Sequence, residues 1–343
     1  MPRGLPVSSN SAPPATSSGT SGARPSPTGS GALYFETNTG ILYFDAGTWQ
    51  IVTPGSGPVL TPPPAIGAFT VVGNMGLAQI GSAVRAQMLT DPNSQSPCAL
   101  IASGGLGAAQ SWIVQGAVSL SSFAAEQFPG VGIGASNGVA SGVSQMRVMS
   151  RFADAATVGL HQEVLLVGTG VRVASNAETT GPADSSGLAS MLRLRLLADG
   201  VTLHYQYSQD GLTWWDCFTE ATPAGFTNYG FSLGNGFTGG DAIGQATIYE
   251  LVKKAPQQVA VSGATNASPI VLQTATPHGC NPGDFVSVHG VTGNGNANTP
   301  NVGGSWNSSI VVVAPVDATH LTLVGTVGNG AYAGGGTLTL VSR

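Results

Sequence analysis

Residues 191–215, MLRLRLLADGVTLHYQYSQDGLTWW, decide how the rest of the chain reads. Leu192, Leu194 and Leu196 alternate with Arg193 and Arg195. After Ala198-Asp199-Gly200, the residues Val201, Leu203, Tyr205 and Tyr207 alternate with Thr202, His204 and Gln206. Side chains repeat every two residues along a strand and every 3.6 along a helix, so both runs are strands with one apolar face. Asp-Gly between two such runs is a hairpin signal, and a second one, Asp210-Gly211, leads into Trp214-Trp215. The stretch is a β-meander in which His204 takes a solvent-facing position. Adjacent strand residues face opposite sides, so one of the two indoles is expected in the core and the other outside.

Working outward, short apolar runs broken by Gly, Ser and Asn fill residues 67–254, the pattern of an all-β sandwich or jelly roll. Tyr229–Leu233 and Ala246–Val252 are its late strands. Upstream, Pro54, Pro58 and Pro62-Pro63-Pro64 mark a stiff spacer over 54–66. Residues 31–53 contain Leu33-Tyr34-Phe35, Ile41-Leu42-Tyr43-Phe44 and Trp49-Gln50-Ile51-Val52, three short strands between turns. A meander of that size does not stand alone, so it is expected to pack on copies of itself or on a partner. Tyr34, Phe35, Tyr43, Phe44 and Trp49 are its candidates for anchoring and oligomerisation.

Residues 1–30 are almost wholly Pro, Ser, Gly, Ala and Thr. Such a segment buries too little apolar surface to offset the entropy of ordering, and is expected to be an extended arm held by a neighbouring subunit. Downstream, residues 255–343 hold Val-, Thr- and Leu-rich runs at 270–274, 284–288, 309–313, 320–323 and 336–340, a small β-sandwich or barrel of five or six strands.

Only 8% of the residues are charged, against about 25% in an ordinary globular chain, while 42% are hydrophobic. The chain has 11 Lys and Arg, of which only Lys253 and Lys254 are lysines. That is too few to track a phosphate backbone, so no nucleic-acid partner is expected. The same scarcity excludes salt-bridged long helices. No apolar run is long enough to cross a bilayer as a helix, and the N-terminus lacks a secretory signal, so synthesis in the cytoplasm without membrane insertion is expected. Cys98, Cys217 and Cys280 are distant from one another and odd in number, which favours reduced thiols.

Two resemblances follow from these residues. The order Gly-x-Leu-Tyr-Phe, Thr-Asn-Thr-Gly, Leu-Tyr-Phe-Asp and Gly-x-Trp within 31–49 resembles a short motif of bacteriophage tail-fibre and head-fibre proteins, near an attachment region. The Leu-Arg-Leu strand, the Asp-Gly turn, the Tyr-x-Tyr-Ser strand and the Asp-Gly-x-Thr-Trp turn resemble the concanavalin A-like or laminin-G-like sandwich. In addition, Thr276–Asp284 is similar to the His-Gly turn of small β-modules common in phage tail proteins, which sequence comparison labels after ubiquitin-activating enzymes without implying that activity.

No motif reads as chemistry. His278 lies two residues from Cys280, a spacing set by the turn and not aimed at the thiol. His161, His204, His278, His289 and His320 show no metal-ligand spacing, and no cofactor is expected. Gly130–Gly134 and the glycines at 104–107 lack the strand and helix of a dinucleotide loop. Ser208–Trp214 looks like the Asp-box turn of sialidases, a structural hairpin. Trp214, Trp215, Tyr205 and Tyr207 are the candidates for stacking on a sugar or for an interface. The expectation is therefore a bacteriophage virion protein without enzymatic activity. It would be a homotrimeric tail-fibre or appendage subunit that meets other virion proteins through residues 1–53 and contacts host glycan. The alternatives are a head fibre or capsid decoration protein, and a glycan-degrading appendage enzyme.

Overall fold

The computed structural model describes residues 16–19, 26, 33–36, 41–45, 49–52, 60–88, 98–101, 106, 110–122, 129–153, 158–167, 172–178, 191–235, 245–299, 304–305 and 310–342. It divides into two units, residues 1–59 and 60–343. Strands dominate both, as the period-two runs require.

In the first unit β1 (Thr16–Gly19), β2 (Leu33–Glu36), β3 (Ile41–Asp45) and β4 (Trp49–Val52) form one sheet in that order. The expected meander is β2–β3–β4, with Tyr34 opposite Tyr43 and Asp45 opposite Trp49. The arm departs from expectation at β1, which runs parallel to β2 and pairs Thr16 with Leu33. Apolar patterning gives no signal for a strand of Thr, Ser and Gly. The rest of the arm, apart from residue 26, lies outside the described residues, as do the side chains of Tyr34, Phe35, Tyr43, Phe44 and Trp49.

The second unit holds β5 (Phe69–Val72), β6 (Met75–Ile80), β7 (Ala83–Met88), β8 (Cys98–Ile101), β9 (Ser111–Ser122), β10 (Pro129–Ser136), β11 (Gln145–Ala153), β12 (Val158–Leu166), β13 (Arg172–Glu178), β14 (Leu192–Asp199), β15 (Thr202–Ser208), β16 (Trp215–Ala221), β17 (Asn228–Asn235) and β18 (Gln245–Lys254). The C-terminal part adds β19 (Gln258–Ala264), β20 (Ile270–Thr274), β21 (Phe285–His289), β22 (Gly304–Ser305), β23 (Val311–Pro315), β24 (His320–Leu323) and β25 (Thr337–Ser342). A seven-stranded sheet, β13-β12-β11-β10-β17-β8-β5, faces an eight-stranded one, β22-β16-β15-β14-β9-β18-β7-β6. Strands β19-β20-β24-β23-β21-β25 close into a barrel. The all-β reading holds: a jelly-roll-like sandwich followed by a small barrel.

The sandwich core collects the residues that alternation predicts. Leu192, Leu194, Leu196, Leu203, Tyr205 and Tyr207 meet Ile133, Met149, Phe231 and Leu233 from the opposite sheet. Burying each such side chain contributes about 1.5–3 kcal/mol. Gly200 at φ +104° and Gly211 at φ +76° close the two Asp-Gly hairpins in the left-handed region that favours glycine.

The opposite faces of β14 and β15 are also buried throughout. His204, expected at the surface, is fully buried, because the barrel seats on this side of the eight-stranded sheet. Strand β22, within the C-terminal segment, also pairs with β16 through Phe218 and Ser305. The end of the proline-rich stretch docks on the same sheet: Thr61 N–H donates to Glu250 Oε1 (3.2 Å), Gln115 Nε2 donates to Glu250 Oε2 (3.1 Å), and Pro63 is buried.

Candidate functional site

The seven-stranded sheet turns one face to the core and the other away from it. Val131, Ile133, Ala135 and Met149 point to the core, so Gly130, Gly132, Gly134, Ser136, Val148 and Ser150 take the other face. Across that face runs one row, His161 opposite Ser150, Ser150 opposite Gly132, and Gly132 opposite Ser232. Gly132 has no side chain for a packing reason: a Cβ there would lie 2.1 Å from Val148 Cγ1 and 3.1 Å from Ser232 Oγ.

The next residue on this face of β12 is Glu163, and three polar groups converge. Ser150 Oγ donates to Glu163 Oε2 at 2.9 Å, and His161 Nδ1 lies 3.8 Å from Glu163 Oε1. All three sit on strands in the middle of a sheet, which fixes them more firmly than loops would. Ser150 and Glu163 are buried and the His161 side chain is 15% exposed. A carboxylate, a hydroxyl and an imidazole in one row supply acceptors and donors suited to hydroxyl-rich ligands. Beside them Leu100, Met146, Val148, Leu165 and Val167 form an apolar cluster on the same face. Hydrolysis by a carboxylate pair needs two acids about 5–10 Å apart. Glu163 is the one acid among the described side chains of this row and its neighbour.

A second polar group lies between the sheets. Tyr205 donates to Glu220 Oε1 (2.5 Å), and Arg147 Nε donates to the same oxygen (2.9 Å) while its guanidinium sits 5.7 Å from the Phe226 ring. Burial, and then the charge of Glu220, push the Tyr205 hydroxyl well above its ordinary pKa. This tyrosine is a neutral donor locked to a carboxylate.

The third group joins sandwich to barrel. His204 bridges two acids, with Nδ1 2.7 Å from Asp216 Oδ2 and Nε2 3.5 Å from Asp199 Oδ2. Asp199 Oδ2 also receives Ser287 Oγ (2.7 Å) and His289 Nε2 (2.9 Å) from the barrel, while its Oδ1 accepts Val201 and Thr202 N–H in the hairpin. Gln206 links Asp216 to Arg195, whose Nη2 donates to the Val341 carbonyl (2.5 Å) and whose guanidinium stacks 4.1 Å from Trp214. Burial lowers Arg195 to about 9, with Asp216 opposing. Burial alone would lower His204, but the charge of Asp216 and bonds to both acids raise it to about 9. Burial would raise Asp199, yet His204 and His289 hold it well below its ordinary value. Two cations and two anions thus balance in a buried layer.

Of the four aromatic candidates, Tyr205 and Tyr207 are buried in the sandwich core and Trp214 is buried at the barrel junction, where its backbone N–H donates to Ser342 Oγ (3.0 Å). Trp215 is 47% exposed. The expected division of the two indoles is thus observed, although the barrel junction and not the sandwich core takes the inner one. Asp210 ties its turn by accepting Leu212 and Thr213 N–H (both 2.8 Å), which identifies the Asp-box-like segment as a hairpin clamp. His278 Nδ1 accepts the Cys280 N–H (3.0 Å) and Nε2 lies 2.8 Å from the Asp317 carbonyl. Both ring nitrogens are engaged by backbone, so the ring is not a base for the Cys280 thiol. Among the described residues no group of three or more metal-ligating side chains exists. The Ser150–His161–Glu163 row escaped the sequence reading because β11 and β12 are joined by register. Only the identity of His161-Gln162-Glu163 on a period-two run hinted at it.

No family model matches the chain, and no curated protein is similar to it in sequence. Solved structures do share its sandwich. The CBM2 module of the evolved Dit of Lactobacillus casei BL23 phage J-1 is 11% identical over 55% of this chain and 90% of that one, with a TM-score of 0.35. An alginate lyase from Klebsiella pneumoniae is 11% identical over 53% and 84% (TM-score 0.35). A lectin from Bauhinia forficata in complex with GalNAc is 10% identical over 57% and 96% (TM-score 0.33). At such identities the likeness concerns the fold alone. It nevertheless corrects the expectation of a protein without enzymatic activity: alginate lyases stand among these structures, so the fold places the chain on neither side of that line.

Proposed function

We propose that this chain is a subunit of a bacteriophage virion appendage whose sandwich engages a cell-surface polysaccharide through His161, the partly exposed member of a polar row on the face of the seven-stranded sheet away from the core. The observation that carries the glycan reading is the Ser150–His161–Glu163 row, polar groups fixed mid-sheet on the side away from the core. The virion reading rests on the resemblance of residues 31–49 to a fibre attachment motif, which the β2–β3–β4 meander accommodates. Tail or head attachment follows from what residues 1–53 contact.

The test is affinity electrophoresis of the purified protein in gels containing neutral or acidic bacterial polysaccharides, alginate among them, with release of reducing ends followed in parallel. Retardation by one polysaccharide that is lost in Glu163→Gln and in His161→Ala, with unchanged melting temperature, supports the reading; cleavage would add an activity at the same face. Absence of retardation by the whole panel, or retardation untouched by both substitutions, overturns it. Immunoelectron microscopy of intact particles with an antibody against residues 256–343 separates tail appendage from head decoration. Unlabelled particles would overturn the virion assignment.

A further inference from the structure

The sandwich and the barrel each close a core of their own, and the layer between them is of another kind. Leu194, Leu203 and Phe231 belong to the sandwich core, and Ile270, Leu272 and Val288 to a separate barrel core. Between the two lie Arg195, Asp199, His204, Gln206 and Asp216 from the outward side of the eight-stranded sheet. The barrel meets them with one row, Gln258 opposite Thr339 and Thr339 opposite Ser287, and with His289. Gln258 Nε2 donates to the Asp199 carbonyl (2.8 Å) and to Thr339 Oγ1 (2.9 Å). A contact made chiefly of polar groups between two complete cores resembles a transient interface more than a shared core.

Chain connectivity allows this layer to part. Strand β18 ends at Lys254 and β19 starts at Gln258, so Ala255, Pro256 and Gln257 join the two bodies there. A further link is the two-residue pairing of β22 with β16. Bodies joined by a few residues at the ends of strands move by hinge rotation.

His204 decides whether the layer stays closed. Its ring nitrogens face carboxylates on different strands, Nδ1 at 2.7 Å from Asp216 and Nε2 at 3.5 Å from Asp199. Only the imidazolium donates to both. The charged and titratable groups packed around it are Asp199 and Arg195 of β14, Asp216 of β16 and His289 of β21. Without the proton one nitrogen turns a lone pair to a carboxylate, and Arg195 is left against two buried anions. An uncompensated buried charge is strongly destabilising, and parting the layer brings water to it.

We propose that loss of this proton undocks the barrel, which swings as an intact body about Ala255–Gln257 and uncovers the polar face of β14, β15 and β16. Burial would lower the His204 pKa from 6.5, but the charge of Asp216 and the bonds to both acids raise it to about 9. The docked form is therefore complete below 6.5 and is lost as pH rises through 9. Undocking does not depend on what His161 binds.

The test is hydrogen exchange of the full-length chain at pH 7 and pH 10, corrected for the intrinsic rate, with small-angle X-ray scattering in parallel. At pH 10 the Trp214 amide, bonded to Ser342 Oγ across the junction, should lose its protection and the radius of gyration should rise. The amides of Leu194 and Leu272, in the two cores, should stay protected. Asp216→Asn removes one anion, so a neutral His204 donates from Nε2 to Asp199 and accepts the new amide at Nδ1. This variant should stay docked at pH 10. His204→Gln brings no positive charge and should be undocked already at pH 7, with both cores protected. A wild-type junction unchanged at pH 10 overturns the proposal, as does joint loss of junction and core protection. So does Asp216→Asn opening as the wild type does, and if that variant fails to fold, a docked His204→Gln at pH 7 has the same force.

Discussion

Asp199 of the sandwich accepts a hydrogen bond from His289 of the barrel at 2.9 Å through the same oxygen that receives Ser287. Its other oxygen caps the hairpin that Gly200 closes. One carboxylate therefore both shapes a turn within the sandwich and anchors the barrel to it.

Asp199→Asn keeps an acceptor for Val201 and Thr202 but removes the charge beside His204 and His289. Uncompensating a buried ionic layer costs about 3–5 kcal/mol. Urea denaturation should show a loss of that order, with the barrel transition separating from the sandwich transition. A loss below 1 kcal/mol would show that the layer is not ionic.

The same layer sets a pH window. The folded pKa of His204, about 9, exceeds its ordinary value of 6.5, so its contribution is complete below 6.5 and disappears as pH rises through 9. Asp199 is depressed below 3.8, so its contribution is present above that value and is lost as pH falls below it. Melting temperature should therefore be highest between about pH 4 and 6.5 and fall toward pH 9. In His204→Gln the alkaline fall should be absent.

Trp214 and Trp215 are adjacent and should behave oppositely. Trp214→Ala removes a buried ring stacked on Arg195 and should cost about 3–5 kcal/mol. Trp215→Ala, with half its surface in water, should lie within about 0.5 kcal/mol of wild type. Denaturant titration of the pair decides this.

Leu194 is fully buried between the sheets, and Leu194→Ala should destabilise the sandwich by about 2–5 kcal/mol. By contrast Val143→Ala, at a position 78% exposed, should be neutral in the same titration.

Period-two alternation and Asp-Gly turns determined the meander from β14 to β16, the strands β2–β4 and most of the barrel, because side-chain alternation and hairpin closure are local properties. The sequence missed β1, whose Thr-Ser-Ser-Gly run has no apolar alternation, and β19, whose Gln258–Ala264 run is broken by Ser262 and Gly263. It also placed His204 in water, since a polar residue between Leu203 and Tyr205 is what a solvent face looks like locally. That the face is instead covered depended on a barrel about 90 residues downstream bringing Ser287 and His289 to Asp199. The Ser150–His161–Glu163 row likewise arose from the register between β11 and β12. Alternation along one strand states which residues share a face; only tertiary packing decides what, if anything, lies against it.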